Sequence, residues 1–308
     1  MIPRIDAAVA LDPTHPEHDK TLQAIHTGAS DIGFLTVHNG PISAHDVSTV
    51  IDAYHRFFLL PPEAKEQVNM ATTKSNRGWG GPQSEQVDPD ANPDYKQVFD
   101  CGFQLNAEDP LRAENLSYYA PNLWPKDPAD FFPIIRDYYD KACAFSLDLL
   151  KVIATAIGED ASFFDDKFTR PMALLRGNYY PKRPSWATAK DFGIATHTDY
   201  GCLTLLATDG TPGLEVRKRG GGWIPVTAPK GEFVINFGEM IEFWTQGRVK
   251  ATPHRVVGGK DERLSVPLFF NPNHDTNVAP VGSGEVIRAG DHMEKRFSET
   301  YVHLKSKG

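Results

Sequence analysis

Cysteine is scarce, with three residues in 308, Cys101, Cys143 and Cys202. So few, so scattered, exclude a disulfide framework and a cysteine-ligated zinc site, and leave all three as small apolar residues. Long apolar runs are missing too. No stretch approaches the roughly 18 to 20 residues that a membrane-spanning helix needs. The opening MIPRIDAAVALDP lacks the basic-then-apolar layout of a signal peptide, so the expected compartment is the cytoplasm. Positive charge is in deficit, 32 Lys and Arg against 40 Asp and Glu for a net charge of −8. A broad nucleic-acid surface needs the opposite sign. Internal repeats and low-complexity tracts are absent.

What remains is a globular composition, 40% hydrophobic and 23% charged, which fits neither a disordered tail nor a coiled coil. Eleven histidines stand out, because imidazole serves both proton transfer and metal binding.

The chain changes character near residue 170. Before it, Ser43 to Leu60 carries Val47, Val50, Ile51, Tyr54, Phe57 and Phe58 at helical spacing, opened by a Ser43/Asp46 capping box and closed by Pro61-Pro62. Ala129 to Ile157 carries a second stripe, from Phe132 and Ile135 to Val152 and Ala156, with Gly158 as its stop. Between them Ser75 to Lys96 is rich in Gly, Pro, Asn and Asp and reads as a long loop of the kind used as a lid. From Met172 onward come short apolar runs, MALLRGNYY, CLTLLAT, GLEVR, WIPVTA, EFVINF, MIEFWT, RVKATPHRVV and RLSVPLFF. All eight are read as β-like, and their near-regular spacing points to an antiparallel sandwich or barrel, most economically a jelly roll. Gly290 to Leu304 reads as a last helix.

The expected fold is therefore mainly β with flanking α, a double-stranded β-helix (jelly roll) core supported by N-terminal and central helices. One unit over 1–308 is expected: an N-terminal region 1–125 with a lid loop at 75–96, a scaffold helix within 127–158, a catalytic core over 170–282, and a C-terminal helix within 288–305.

Three H-x-[DE] pairs occur, His15/Glu17, His197/Asp199 and His292/Glu294, and composition alone supplies one or two. Arrangement separates them. His197-Thr198-Asp199 leads into the run CLTLLAT, and on an extended segment residues two apart project to one side. His254 lies in another β-like run, followed by Arg263-Leu264-Ser265 in a third. Two His and one carboxylate at the rim of a small β-barrel can cap one face of an octahedral metal and leave positions open, the facial triad of non-haem iron oxygenases. Singly, His197 and Asp199 read as a capped turn and His254 as a hydrogen-bonded core histidine; jointly, with the R-x-S beyond, they read as a metal site. The blander reading of Arg263 is a surface ion pair, which its place in an apolar strand disfavours.

In its ordered motifs the sequence resembles the 2-oxoglutarate- and Fe(II)-dependent dioxygenases of the isopenicillin N synthase-like branch. The motifs are DIGFLTVHNG, FFLLPPEAK, the R-G-W of Arg77 to Trp79, the N-Y-Y-P of Asn178 to Pro181, the H-T-D of His197 to Asp199, FGEMIEFWTQGRVKATPHRVV, and the R-L-S of Arg263 to Ser265. The resemblance implies that His197, Asp199 and His254 bind Fe(II). It implies that Arg263 and Ser265 hold the far carboxylate of 2-oxoglutarate, with Tyr180 as a third contact and Asn178 near the cofactor end of the pocket. A dicarboxylate in a closed pocket suits the always-charged fork of Arg, with a hydroxyl beside it. The implied reaction consumes O2 and 2-oxoglutarate, releases succinate and CO2, and oxidises a C–H bond of a small molecule. Related halogenases carry a small residue where Asp199 stands, so hydroxylation, desaturation or ring closure remain.

Three alternatives stay open at this point: an isopenicillin N synthase-like Fe(II)/O2 oxidase that does not use 2-oxoglutarate, a non-catalytic small-molecule-binding barrel, and a zinc hydrolase. The N-Y-Y-P run favours 2-oxoglutarate, and the filled ligand positions disfavour the inert barrel. Arg77, Trp79, Lys96 and Phe270 are only candidate substrate contacts, and for each the structural reading weighs more. Gln97 stands where many members of the branch carry Glu, in a segment that often lies near the substrate mouth. A small-molecule substrate is expected, with no nucleic acid, no membrane, and a monomer or weak homodimer as the working form.

Overall fold

The computed structural model describes residues 1–73, 76–82, 84, 95–182, 185, 193–259, 261–280 and 282–300. Most of the loop expected over 75–96, and residues 301–305 of the expected C-terminal helix, lie outside that set.

The helices are α1 (Ala7–Ala10), α2 (His18–Thr27), α3 (Ala44–Phe58), α4 (Pro62–Glu66), α5 (Met70–Thr73), α6 (Phe131–Ala156), α7 (Glu239–Trp244) and α8 (Ala289–Thr300). The strands are β1 (Arg4–Asp6), β2 (Phe34–His38), β3 (Gly78–Gly80), β4 (Gln97–Gly102), β5 (Leu174–Tyr180), β6 (Ile194–His197), β7 (Leu203–Thr208), β8 (Leu214–Arg217), β9 (Trp223–Val226), β10 (Phe233–Phe237), β11 (His254–Val256) and β12 (Arg263–Phe270).

Helix α3 starts where its capping chemistry puts it. Ser43 accepts from the Asp46 amide while the Asp46 carboxylate accepts from the Ser43 amide, so two of the orphan N–H groups of the first turn are satisfied. At the C-terminal end of α6, Gly158 adopts φ +83 and the Gly158 and Glu159 amides donate to the Thr155 and Ala154 carbonyls, which closes the helix in the left-handed manner glycine favours. The buried stripes of α3 and α6 face the large sheet.

That sheet runs β1-β2-β10-β7-β12-β5-β4-β3, opposed by a smaller sheet β6-β11-β8-β9. Pairing is antiparallel apart from β1 with β2, and the two sheets form a jelly-roll core with helices flanking it. Two corrections to the expected pattern follow. The segment MIEFWT is helical, not a strand: α7 buries Met240, Ile241 and Trp244, the one-and-four spacing of a helix face, and a six-residue apolar run does not distinguish the two periods. The first 170 residues also supply strands, β1 to β4, at both edges of the large sheet. In β2 Phe34, Leu35 and Val37 are all buried, so no in-out alternation marked it as a strand.

Apolar packing falls into two layers. Between helices and sheet, Phe57, Phe99 and Phe131 form a triangle with ring centroids 4.9 Å, 5.0 Å and 5.1 Å apart. Between the sheets, Phe34, Tyr180, Leu206, Val216, Val234 and Val256 fill the barrel. Phe99→Ala removes a fully buried ring at the centre of the first layer. It is expected to cost about 3–5 kcal/mol, read as a lower denaturation midpoint in urea at unchanged slope.

Candidate functional site

The small sheet positions the two histidines. In register, His254 of β11 stands directly opposite His197 of β6, and their ring centroids lie 4.3 Å apart. Each Nδ1 is turned to a backbone carbonyl, His197 to Ala195 at 2.9 Å and His254 to Thr252 at 3.1 Å. Donation through Nδ1 selects the tautomer that leaves a lone pair on Nε2. Both Nε2 atoms converge on one oxygen, lying 3.7 Å and 3.7 Å from Asp199 Oδ1. The other oxygen, Oδ2, accepts from Thr204 Oγ1 and, at 2.7 Å, from Asn236 Nδ2. The carboxylate is thus clamped on one side and presented on the other.

Helix α7 pins the turn between these ligands. The Glu239 and Met240 amides at its N-terminus donate to the Asp199 and Tyr200 carbonyls, at 2.8 Å and 3.2 Å. Thr198 Oγ1 donates to Glu239. A strand at MIEFWT would leave those carbonyls unpaired, which is why the helix matters to the site.

Electrostatics suit a cation. Burial and the neighbouring His254 push the His197 imidazole down to about 4, so it is neutral and available as a donor at physiological pH. Burial pulls the Asp199 carboxyl up, but the two histidines and the bonds from Thr204 and Asn236 outweigh it and hold the group below its ordinary value. Among the described residues, these three form the one cluster of His, Cys, Asp and Glu whose donor atoms, within 4.8 Å of one another, could hold a metal ion. Two imidazoles and one carboxylate are the N2O donor set of a facial iron site. Thr204→Val removes one of the two hydrogen bonds that hold Asp199 Oδ2. Loss of such a supporting bond is expected to weaken Fe(II) affinity about 10- to 100-fold, measured by anaerobic metal titration.

A second constellation lies on the facing sheet. Arg263 pairs with Tyr180 and Ser265 with Asn178 across β12 and β5, so all four side chains share one face. Arg263 is 4% exposed, sits 5.2 Å over the Tyr180 ring, and donates to Ser265 Oγ at 3.2 Å and the Thr211 carbonyl at 3.3 Å. The Asn178 Oδ1 atom is buried with no partner among the described residues.

Residues 171–272 match the 2OG-Fe(II) oxygenase superfamily, and residues 2–127 match the family described as non-haem dioxygenase in morphine synthesis N-terminal. A 2-oxoglutarate-dependent dioxygenase, traH of Penicillium crustosum, is 30% identical over 282 residues, 89% of this chain and 85% of the relative. The chain belongs to the 2OG-Fe(II) oxygenase superfamily. It is a Fe(II)- and 2-oxoglutarate-dependent oxidoreductase of the isopenicillin N synthase-like branch. Among solved structures, a full-length Neurospora crassa protein in complex with alpha-KG superposes with a TM-score of 0.85 at 28% identity, covering 97% of this chain and 96% of that one. The same Neurospora protein has also been solved with alpha-KG and thymine. JOX2 in complex with 2OG, Fe and JA gives 0.79 at 25% identity, covering 99% of this chain and 88% of that one.

In this oxygenase a cavity opens onto His197 and Asp199. Arg77, Lys96 and Asn178 line it; Ser265, opposite Asn178 in register, and the Arg263/Tyr180 pair next to them are not among the lining residues. Trp79 and Phe270 do not reach it. The Trp79 indole donates to Gln97 Oε1 at 3.0 Å, and the Lys65 ammonium, 5.2 Å from the same ring, donates to that oxygen at 3.0 Å. Gln97 is therefore an anchor behind the sheet and not a mouth residue, because β4 turns Lys96, Val98 and Asp100 to one face and Gln97 and Phe99 to the other. Phe270 stacks on Phe168 at 4.9 Å. Parity along β12 explains it: Arg263, Ser265, Pro267 and Phe269 face inward, and it is Phe269 that lines the cavity.

Sequence reading passed over Arg176 and Asp100. Arg176 also lines the cavity, and it stands two residues before Asn178 in MALLRGNYY. An Arg inside an apolar run, on the face already assigned to Asn178 and Tyr180, was a usable signal.

Proposed function

We propose that His197, Asp199 and His254 bind the Fe(II), and that Arg263 and Ser265 grip the far carboxylate of 2-oxoglutarate, with Tyr180 packed against the guanidinium and Asn178 at the cofactor end. The observation that carries this is the shared 3.7 Å approach of both histidine Nε2 atoms to the one oxygen of Asp199 that Thr204 and Asn236 leave open. Bound there with 2-oxoglutarate and O2, iron supplies an oxidative decarboxylation to succinate and CO2 coupled to oxidation of a C–H bond. The chain does the rest. Backbone carbonyls hold both imidazoles in the binding tautomer, Arg263 orients the cosubstrate, and the apolar filling between the sheets keeps water from it.

The substrate is a small organic molecule, as thymine and JA are small molecules held by the Neurospora protein and JOX2, and its product is hydroxylated, desaturated or cyclised. No described helix is long and apolar enough to cross a membrane, and a cytoplasmic monomer or weak homodimer fits this reading. Anaerobic titration of the Fe(II) protein with 2-oxoglutarate tests it: chelation gives a visible metal-to-ligand band. A protein that binds Fe(II) and shows no band is an oxidase independent of 2-oxoglutarate, and one that is active only with zinc overturns the reading altogether.

A further inference from the structure

Glu239 stands where three parts of the molecule meet. It opens α7, and its amide donates to the Asp199 carbonyl at 2.8 Å. Its carboxylate is shared between two other elements. One oxygen, Oε1, accepts from the hydroxyl of Thr198, which lies between the metal ligands His197 and Asp199 in the chain. The other, Oε2, accepts from Arg296 Nη2 of α8. The Glu239 and Arg296 side chains are 28% and 35% exposed, too open for the ion pair alone to stabilise much. What the pair connects matters more than its own strength.

The helix that Glu239 reaches is part of the cavity. Met293 of α8, 4% exposed, is a lining residue. Helical spacing puts His292, Met293 and Arg296 on one face, and that face rests on the site. The His292 ring stacks on Phe243 of α7 with centroids 6.4 Å apart. The Arg296 guanidinium lies 5.4 Å from the ring of Tyr200, the residue after Asp199. The start of α8 is held elsewhere: the Ala289 and Gly290 amides donate to the Thr276 and His274 carbonyls, each at 2.9 Å. An added Cβ at Gly290 would fall 2.0 Å from His274, so this seat needs glycine. The first turn is thus tied to a loop of its own, and the next turn to α7 and the metal turn.

We infer that Glu239 is a positioning residue that joins α8 to the metal turn, so that loading Fe(II) and seating α8 against the cavity strengthen each other. This rests on the iron reading above and adds a regulation of that same site. Glu239 fixes Thr198, and Thr198 fixes the turn that carries His197 and Asp199. A metal that draws those two ligands together holds Thr198 in place, and with it Glu239 and Arg296. Coupling between two sites is reciprocal in binding free energy, so each event favours the other by the same factor. The consequence is that the part of the cavity wall supplied by Met293 is in place when the site holds its metal.

Hydrogen exchange over residues 290–296 tests this, measured anaerobically by mass spectrometry on the full chain with and without saturating Fe(II) and 2-oxoglutarate. Loading is expected to slow wild-type exchange there by about fivefold or more, the lower end of coupling between two sites. Thr198→Val removes the bond on the metal side, and Glu239→Ala removes the carboxylate while its amide still reaches Asp199. Both are expected to lose most of the slowing at Fe(II) concentrations that saturate their visible bands. A merely structural Glu239 would instead speed exchange equally in the loaded and the empty protein. Arg296→Met gives a second, independent reading, because it keeps an apolar stem against Tyr200 and removes the bond to Glu239. Deleting a cation near the metal by itself tightens Fe(II) binding, whereas loss of positioning is expected to weaken it about fivefold. No slowing in wild type, slowing that survives in both Thr198→Val and Glu239→Ala, or Arg296→Met that binds Fe(II) as tightly as wild type overturns the inference. Failure of the underlying reading looks different: the wild-type protein would then bind no Fe(II) at all.

Discussion

Asp199→Ala abolishes succinate formation from 2-oxoglutarate, with and without substrate, and lowers Fe(II) binding below detection in an anaerobic titration. The effect is the largest expected from any single change because Asp199 is the hub of the site. Both histidine Nε2 atoms approach its Oδ1, so its loss removes the one anionic donor and the point on which the other two converge. Alanine also strands the Thr204 hydroxyl and the Asn236 amide, which now donate to Oδ2. Leaving a buried donor unmatched costs about 1–3 kcal/mol. Asp199→Asn keeps acceptor capacity at that position and serves as the folded control: its circular dichroism is expected to match wild type while iron binding is still lost. Full succinate production by either variant would refute the assignment of the metal site.

Arg263→Gln is expected to raise the dissociation constant for 2-oxoglutarate by about 30-fold to a few thousand-fold, with metal binding intact. Truncating one partner of a buried, hydrogen-bonded charge pair costs about 2–5 kcal/mol, and each 1.4 kcal/mol is tenfold. Burial is what sets the scale. Arg263 is 4% exposed, with its guanidinium over Tyr180 and bonded to Ser265 and Thr211, so water cannot replace it as a partner for a carboxylate. Ser265→Ala removes a single neutral bond and is expected to cost only about 0.5–1.5 kcal/mol, less than about tenfold. Titration of the anaerobic Fe(II) protein by its visible band reads both. A Ser265→Ala loss as large as that of Arg263→Gln would contradict the assignment of the charge to Arg263.

Local rules carried much of this protein. Capping chemistry at Ser43 and the glycine stop at Gly158 set the ends of two scaffold helices, because both depend on residues within one turn. The period-two geometry of strands put His197 with Asp199 and Arg263 with Ser265 on common faces before any fold was known. The same rule, applied consistently, excludes Phe270: it has the opposite parity to Arg263 and Ser265, and Phe269 is the residue on their face. Arg176, with the parity of Asn178 and Tyr180, was legible in the same way. Where periodicity has little to act on, the sequence points to the wrong element or to none. MIEFWT is too short and too apolar to separate helix from strand, and β2 is buried on both faces and shows no alternation.

Composition and local pattern, then, determined the class of the fold, the helices that brace it and the residue types able to hold a metal and a dicarboxylate. Each of those depends on neighbours in sequence or on amounts. Tertiary structure alone decided the rest: that His254 lies opposite His197 in register, that Thr204 and Asn236 clamp one oxygen of Asp199 and leave the other open, and that Gln97 anchors Lys65 and Trp79 behind the sheet. It also decided that Arg77 and Arg176 face one cavity. These are contacts between strands far apart in the chain, set by sheet register and by which face each strand buries, and no local propensity encodes that pairing.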